Sequence, residues 1–315
     1  MKVLVTGGAG FIGSHVCDAL LKRGDEVICV DNFNDYYNPK IKERNIKHNL
    51  SNHNFKLFRA DILDFKQMGT IFEQEKPDKI IHLAARAGVR PSIDNPLLYE
   101  EVNVRGTLNI LELAKTFKIK NFIYASSSSV YGDRENGPFS ETDNVNFPIS
   151  PYAATKKAGE ELCYTYHYLY GLNVSCLRFF TVYGPRGRPE MAPMKFTKLI
   201  DAGKEMEIYG DGTSKRDYTY VSDIVAGVLT ALDKNFGYEI FNLGNSNPIE
   251  LNYFVSLLEK NLGKKARIKY GEKRAEEVGI TFADLKKSEK MLGYKPKVKV
   301  EEGVAKMIDW YKAVS

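Results

Sequence analysis

Tyr152 and Lys156 have the residue types and the spacing to move a proton at an alcohol. They stand in Ser150-Pro151-Tyr152-Ala153-Ala154-Thr155-Lys156. On a helix, side chains four apart share a face. Ser150 and Pro151 suit the N-cap and the first helical position, so Tyr152 falls in the first turn. There the positive end of the helix dipole and the Lys156 ammonium both favour phenolate over phenol. A free tyrosine, with a pKa of about 10, is a poor base at neutral pH. One acidified in this way can take a proton from a hydroxyl and return it. The chain has 19 tyrosines, so the spacing alone is weak evidence and needs partners. A second such pair, Tyr36 and Lys40, encloses Pro39 and is not expected to be helical.

Ser127 is the first partner. A strand expected over residues 121–125 delivers Ser126-Ser127-Ser128-Ser129-Val130-Tyr131-Gly132 at its carboxyl end. A hydroxyl there can hold the oxygen that Tyr152 deprotonates. A serine nucleophile is disfavoured, because the run lacks the Gly-x-Ser-x-Gly setting and no His signals a base.

The second partner is an electron acceptor. A β-rich run over 2–6 is followed by Gly7-Gly8-Ala9-Gly10-Phe11-Ile12-Gly13 and then a helical pattern to about Arg23. Glycines between strand and helix let the backbone approach a pyrophosphate, with the amides of residues such as Phe11 and Ile12 aimed at the phosphates. The spacing Gly7/Gly10/Gly13 is GxxGxxG. A second strand over 26–31 ends in Asp31, 31 − 7 = 24 residues past the first glycine, beside Asn32. That is near the place for an acid on a ribose 2′-hydroxyl, and its charge repels a 2′-phosphate, which favours NAD over NADP. A solvated strand-end Asp is the other reading.

Stretches that must position these groups follow. Residues 32–54 read as a long polar connection with about one helical turn. A third strand over 55–60 leads to Asp61 and Ile62, placed to meet an adenine. A strand over 79–83 ends in Leu83, Ala84 and Ala85, small enough for close cofactor approach, and His82 within it reads as a core residue. Residues 95–118 read as one long helix with Asn103 facing the cofactor. Alternation of strand and helix implies a parallel, doubly wound sheet, with ligands at the strands' carboxyl ends.

Bulk properties fit this. The 315 residues, 43% hydrophobic and 27% charged, suit one large α/β domain or two joined lobes rather than a disordered chain. A formal charge of +5 does not by itself imply nucleic acid and fits an anionic small substrate. No apolar run reaches the length of a membrane span, and the glycine turn comes too early for a signal peptide. Cys17, Cys29, Cys163 and Cys176 show no metal-ligand spacing and read as buried thiols of a reducing cytoplasm.

Gly7-x-x-Gly10-x-x-Gly13, Ser127, Tyr152 and Lys156 together resemble the extended short-chain dehydrogenase/reductases, and in detail their nucleotide-sugar epimerase branch. The resemblance runs from Met1 to about Leu285. It implies an α/β fold with a Rossmann-like NAD-binding domain over 1–178, with 218–245 returning to it. A smaller, discontinuous α/β UDP-sugar domain would occupy 179–315. It also implies Ser127, Tyr152 and Lys156 as the catalytic triad. Asp31, Asp61 with Ile62, Asn103, Tyr152, Lys156 and Phe179 would be cofactor contacts. Dehydratases and decarboxylases of the family resemble each other in a carboxylate beside the catalytic Ser/Thr; Ser128 and Ser129 stand there instead.

Residues 180–189, Phe-Thr-Val-Tyr-Gly-Pro-Arg-Gly-Arg-Pro, are similar to UDP-glucuronate 4-epimerases. Galactose-type epimerases resemble them but carry Asn at the place of Thr181. Residues 86–90, ending in Arg90, and residues 31–37 are further cues. A uronic acid carries a carboxylate that Arg binds in a two-pronged geometry. Arg188 with Thr181, Ser128 and Ser129 is therefore expected to clamp it and hold back loss of CO2 from a 4-keto intermediate; a solvated Arg188 is the plainer alternative. The resemblance puts Arg216 on the diphosphate and Tyr209 beside the uracil. Arg274 and Glu277 would be a second diphosphate and ribose contact, although Ala275-Glu276 replaces the family's Pro-Gly. The expected activity is NAD-dependent 4-epimerisation of UDP-glucuronate to UDP-galacturonate by a homodimer, with no metal and no nucleic-acid or membrane partner. UDP-glucose/UDP-galactose epimerisation, UDP-glucuronate decarboxylation and a non-catalytic NAD-binding regulator are the alternatives.

Overall fold

The computed structural model describes residues 1–134, 136–272 and 278–314. In chain order the first elements are β1 (Lys2–Thr6), α1 (Phe11–Lys22), β2 (Glu26–Asp31), α2 (Pro39–Ile46), β3 (Phe55–Arg59) and α3 (Phe65–Glu75). Next come β4 (Lys79–His82), α4 (Val89–Asp94), α5 (Pro96–Glu100), α6 (Gly106–Thr116), β5 (Asn121–Ser127), α7 (Pro151–Tyr170) and β6 (Val174–Phe179). Then follow β7 (Thr181–Tyr183), α8 (Ala192–Asp201), β8 (Glu205–Tyr209), β9 (Lys215–Tyr220), α9 (Val221–Asp233) and β10 (Tyr238–Leu243). The chain ends with β11 (Pro248–Glu250), α10 (Leu251–Leu262), β12 (Arg267–Gly271), β13 (Ile280–Thr281), α11 (Lys286–Leu292) and α12 (Val300–Val314).

Seven strands form one sheet in the order β10-β6-β5-β4-β1-β2-β3. The pairs from β6 to β3 are all parallel. Leu4, Ile28, Ile80, Phe122 and Val174 are buried with Phe72, Ile110 and Leu111 from the helices. Near-continuous apolar strands are what a sheet covered on both faces requires. Strand order reverses between β1 and β4, so their carboxyl ends, Gly7 onward and Leu83 onward, flank the crevice where doubly wound sheets take ligands. The parallel, doubly wound sheet read from the sequence is present.

The chain divides into two compact units. The first is 1–132, 143–179 and 225–241; the second is 133–142, 180–224 and 242–315. In the second, β7, β9, β11 and β13 form one small sheet and β8 pairs in parallel with β12. Helices α8 and α12 pack on α10.

Two segments differ from the sequence reading. Residues 39–46 form a full helix, because Asn38 accepts a hydrogen bond from the Lys40 amide at 3.1 Å and Pro39 occupies the first turn. The helix expected over 95–118 contains a wide π turn at Glu101–Arg105, centred on Asn103. Such turns often mark sites where a helix is bent to serve a function.

Candidate active site

Helix α7 begins as its sequence dictates. Ser150 Oγ accepts from the Ala153 amide at 3.1 Å, Pro151 follows, and Tyr152 lies in the first turn. The ring of Tyr152 meets the buried ring of Tyr99 edge-on, with centroids 6.2 Å apart. One turn on, Lys156 is buried and donates from Nζ to the Ala125 carbonyl at 2.8 Å. Ala125 lies two residues before Ser127 on β5, so this bond ties the Tyr/Lys face of α7 to the strand that carries the serine run. Burial lowers the Lys156 pKa to about 8. Cys163 and Glu160 oppose that shift, but burial pushes the Cys163 thiol well up.

Ser127 closes β5 and caps a short 3-10 turn at Ser128–Tyr131. Its Oγ accepts from the Ser129 amide at 3.2 Å and donates to Ser129 Oγ at 3.1 Å. Behind it, Ser126 Oγ donates to Glu160 at 2.6 Å. Glu160 also takes Arg178 Nε and Nη2, each at 2.8 Å, and both residues are almost wholly buried. Burial works against the Arg178 charge, but Glu160 outweighs it and holds its pKa above the ordinary value. The guanidinium stands 4.8 Å over the Tyr131 ring. The two flanks of the serine turn are thus anchored to one ion pair.

The glycine turn fits a dinucleotide. Gly7 has φ +68°, and a Cβ there would lie 2.8 Å from the Ala84 amide nitrogen. A Cβ on Gly13 would run into the Gly7 carbonyl. At Gly10 the first turn of α1 opens with no side-chain cap and no acidic residue. Helical N–H groups of Phe11, Ile12 and Gly13 have no partner within the helix and suit phosphate oxygens. Leu83 and Ala84 are fixed on β1 by bonds to the Thr6 carbonyl (3.1 Å) and hydroxyl (3.2 Å), with Ala85 next in the chain. Asp61 accepts from Asn32 Nδ2 at 2.7 Å, Ile62 is buried beside it, and Phe179 ends β6.

Some groups expected to face the cofactor are also engaged with the protein. Asp31 takes the Ala9 amide (3.2 Å), the Phe33 amide (2.9 Å) and Lys42 Nζ (3.2 Å). Asn103 donates to the Arg86 carbonyl at 2.9 Å and to Thr155 Oγ1 at 3.0 Å, and accepts from the Arg86 amide at 2.8 Å. Thr155 donates on to the Tyr152 carbonyl at 2.9 Å. Asn103 therefore fastens the loop after β4 to the turn that carries Tyr152.

His82 extends this chain, and its tautomer follows from the neighbours. Thr107 gives its proton to the Asn103 carbonyl at 2.6 Å, so it accepts from His82 Nε2 at 3.1 Å. Thr6 Oγ1 takes the Ala84 amide and gives its proton to Nδ1 at 2.7 Å. Burial first, and the nearby Lys156 second, lower the His82 pKa to about 3, so the ring is neutral.

In the second unit, Thr181 opens β7, Tyr209 ends β8 and Arg216 lies on β9, donating to the Lys215 carbonyl at 3.0 Å. Thr181 pairs in register with Tyr218 of β9. Arg188 is ion-paired with Glu190 at 3.2 Å. Arg90 of the first unit sits on α4. Arg274 and Glu277 lie outside the described residues.

Sequence reading missed Lys42, Tyr99, Thr107, Thr155, Glu160 and Arg178. Glu160 carried a signal, since it stands one turn beyond Lys156 on the same face. The others are ordinary residues until the fold supplies their partners.

A family model described as GDP-mannose 4,6 dehydratase matches residues 4–307. The chain is 49% identical over 312 residues to the uncharacterized protein MJ1055 of Methanocaldococcus jannaschii, covering 98% of this chain and 96% of that one. It is 47% identical over 310 residues to a UDP-glucuronate 4-epimerase of Thermodesulfobacterium geofontis, covering 98% and 95%. Among solved structures, the UDP-glucuronic acid 4-epimerase of Bacillus cereus, in complex with UDP-glucuronic acid and NAD, superposes with a TM-score of 0.94 at 37% identity over 100% of both chains. With the glycine turn, the Tyr152/Lys156 helix and this match across the chain, the protein belongs to the GDP-mannose 4,6 dehydratase family of the extended short-chain dehydrogenase/reductases.

Proposed function

We propose that this protein is an NAD-dependent isomerase that interconverts UDP-glucuronate and UDP-galacturonate at C4. The observation that carries the reading is Lys156, buried on the Ala125 carbonyl beside the serine run and one turn from Tyr152. End-to-end likeness to a UDP-glucuronic acid 4-epimerase supports the substrate class. The first unit would hold NAD through Gly7, Gly10, Phe11, Ile12, Gly13, Asp31 and Asp61. In the second, Tyr209 and Arg216 would hold the UDP.

When bound, NAD supplies the acceptor and later the donor of the C4 hydride. Tyr152, as phenolate, takes the proton of the C4 hydroxyl and returns it once the ketone has turned. Ser127 hydrogen-bonds the same oxygen and keeps it aligned. Lys156 places a cation beside the phenol, which favours its ionised form. Hydride and proton both return, so there is no net oxidation.

A 4-ketouronate is a β-keto acid and loses CO2 when its C–CO2 bond aligns with the ketone π system. Arg188, Thr181, Ser128 and Ser129 would hold the carboxylate out of that alignment. The Arg188–Glu190 pair favours a second reading, a neutral UDP-hexose epimerase, because an arginine already balanced has less call for a substrate carboxylate. Product analysis separates the two. Purified protein should interconvert the two UDP-uronates, and Arg188→Ala should raise KM for UDP-glucuronate by about tenfold, the worth of a charge-assisted bond. Turnover of UDP-glucose alone would overturn the uronate reading, and release of a UDP-pentose would establish a decarboxylase.

We further propose a cytoplasmic homodimer. All four cysteines are buried free thiols, as a reducing compartment allows. Leu97, Leu108, Tyr164 and Tyr168 are exposed on the helices over 96–116 and 151–170 and would form the contact.

A further inference from the structure

A strand-end acid is usually read as the group that excludes a 2′-phosphate by its charge. In this chain the acid is not alone. Helix α2 brings Lys42 to within 3.2 Å of Asp31 Oδ1, and both side chains are more than nine-tenths buried. On the same face, Asn45 Nδ2 donates to the Ala9 carbonyl at 3.1 Å, while the Ala9 amide goes to Asp31 Oδ2 at 3.2 Å. The helix is therefore fastened both to the acid and to the glycine turn. Nearby charges have other partners: Asp61 takes Asn32, and Arg59 pairs with Glu43 at 3.0 Å.

Two consequences follow. Asp31 and Lys42 together carry no net charge, so long-range repulsion of a 2′-phosphate is weak. A carboxylate also has about four acceptor positions. The Ala9 amide, the Phe33 amide and Lys42 take three of them, two on Oδ1 and one on Oδ2. What remains suits one ribose hydroxyl.

We infer that Lys42 is the second half of the cofactor-selectivity device, a buried cation that a 2′-phosphate takes over once Asp31 no longer holds it. This rests on the proposed NAD site at Asp31. The carboxylate excludes the phosphate by occupying the lysine, and the lysine moderates the carboxylate's repulsion.

Calorimetric titration of the purified, nucleotide-stripped chain with ADP-ribose and with 2′-phospho-ADP-ribose tests it. The unaltered chain should prefer ADP-ribose. Asp31→Asn keeps one acceptor oxygen, for the Ala9 or the Phe33 amide but not both, and removes the charge that holds Lys42. The ratio of affinities should then move toward the 2′-phosphate by about tenfold to a hundredfold, the range of charge-assisted bonds. Asp31→Asn combined with Lys42→Met should lose that gain. Lys42→Met alone unmasks the carboxylate and should move the ratio about tenfold the other way, which decides the matter if Asp31→Asn does not fold. Binding of ADP-ribose with no gain in Asp31→Asn, a gain that survives the double substitution, or an unmoved ratio in Lys42→Met would each overturn the inference while leaving the cofactor site intact. Failure of the unaltered chain to bind either nucleotide would overturn the cofactor reading and this inference with it.

Discussion

Replacing Lys156 by methionine should make the protein more stable and inactive. The Lys156 pKa falls from 10.5 to about 8 because burial opposes the charge. That displacement corresponds to about 3 kcal/mol of cost for holding the ammonium inside at neutral pH. Removing the donor to the Ala125 carbonyl costs about 1 kcal/mol in return. Lys156→Met should therefore gain about 2 kcal/mol at pH 7, or a rise in Tm of about 4–8 °C at the few degrees per kcal/mol expected of chains this large. The sign follows from linkage. Between pH 8 and 10.5 the unfolded chain binds more protons than the folded one, so the parent protein gains stability as pH rises through that window. Its disadvantage against the methionine variant should close near the upper end. Activity runs the other way, because the ammonium is needed beside Tyr152 and kcat/KM should fall as pH rises past about 8. Thermal unfolding of both proteins at neutral and alkaline pH, with a pH profile of turnover, checks all of this. A methionine variant less stable at pH 7, with the same gap in alkali, would refute the argument that this lysine is held against its own solvation.

Other outcomes are as specific. Tyr152→Phe should lose turnover by at least about 100-fold while the denatured protein still releases NAD, as read by chromatography. Glu160→Leu alone should cost about 3–5 kcal/mol in urea denaturation, since it leaves Arg178 buried without its carboxylate. Adding Arg178→Met should restore most of that loss, because an apolar pair of similar volume can replace a buried ion pair. His82, with a pKa lowered from 6.5 to about 3, should make the fold acid-sensitive. Stability is complete above pH 6.5 and is lost as pH falls toward 3, by about 2 kcal/mol at pH 5. In His82→Gln, which keeps an acceptor for Thr6 and a donor for Thr107, that part of the acid sensitivity should vanish; an unchanged slope would mean the histidine is not the group that titrates.

Much of this molecule is determined by its sequence alone. Apolar runs such as Val3-Leu4-Val5 and Ile80-Ile81 mark strands buried on both faces. Gly7 and Gly13 leave no room for a side chain in the turn, Gly10 leaves little, and Ser150-Pro151 starts the helix that presents Tyr152 and Lys156. These are local rules of propensity, capping and steric room, and they act between residues close in the chain. Residues 39–46 mark the limit, since Asn38 and Pro39 are a legible start signal for a helix in a stretch whose polar composition suggests a long connection with about one helical turn.

Only the tertiary structure decided what each polar group is bonded to. His82 joins Thr6 across 76 residues, and Asn103 joins Thr155 across 52. Asp31 is balanced by Lys42 and Arg188 by Glu190, which changes what each can offer a ligand. Sequence reading names the residue capable of a bond, but hydrogen bonds and charges saturate. Which partner fills them depends on distances that close only when the sheet has assembled.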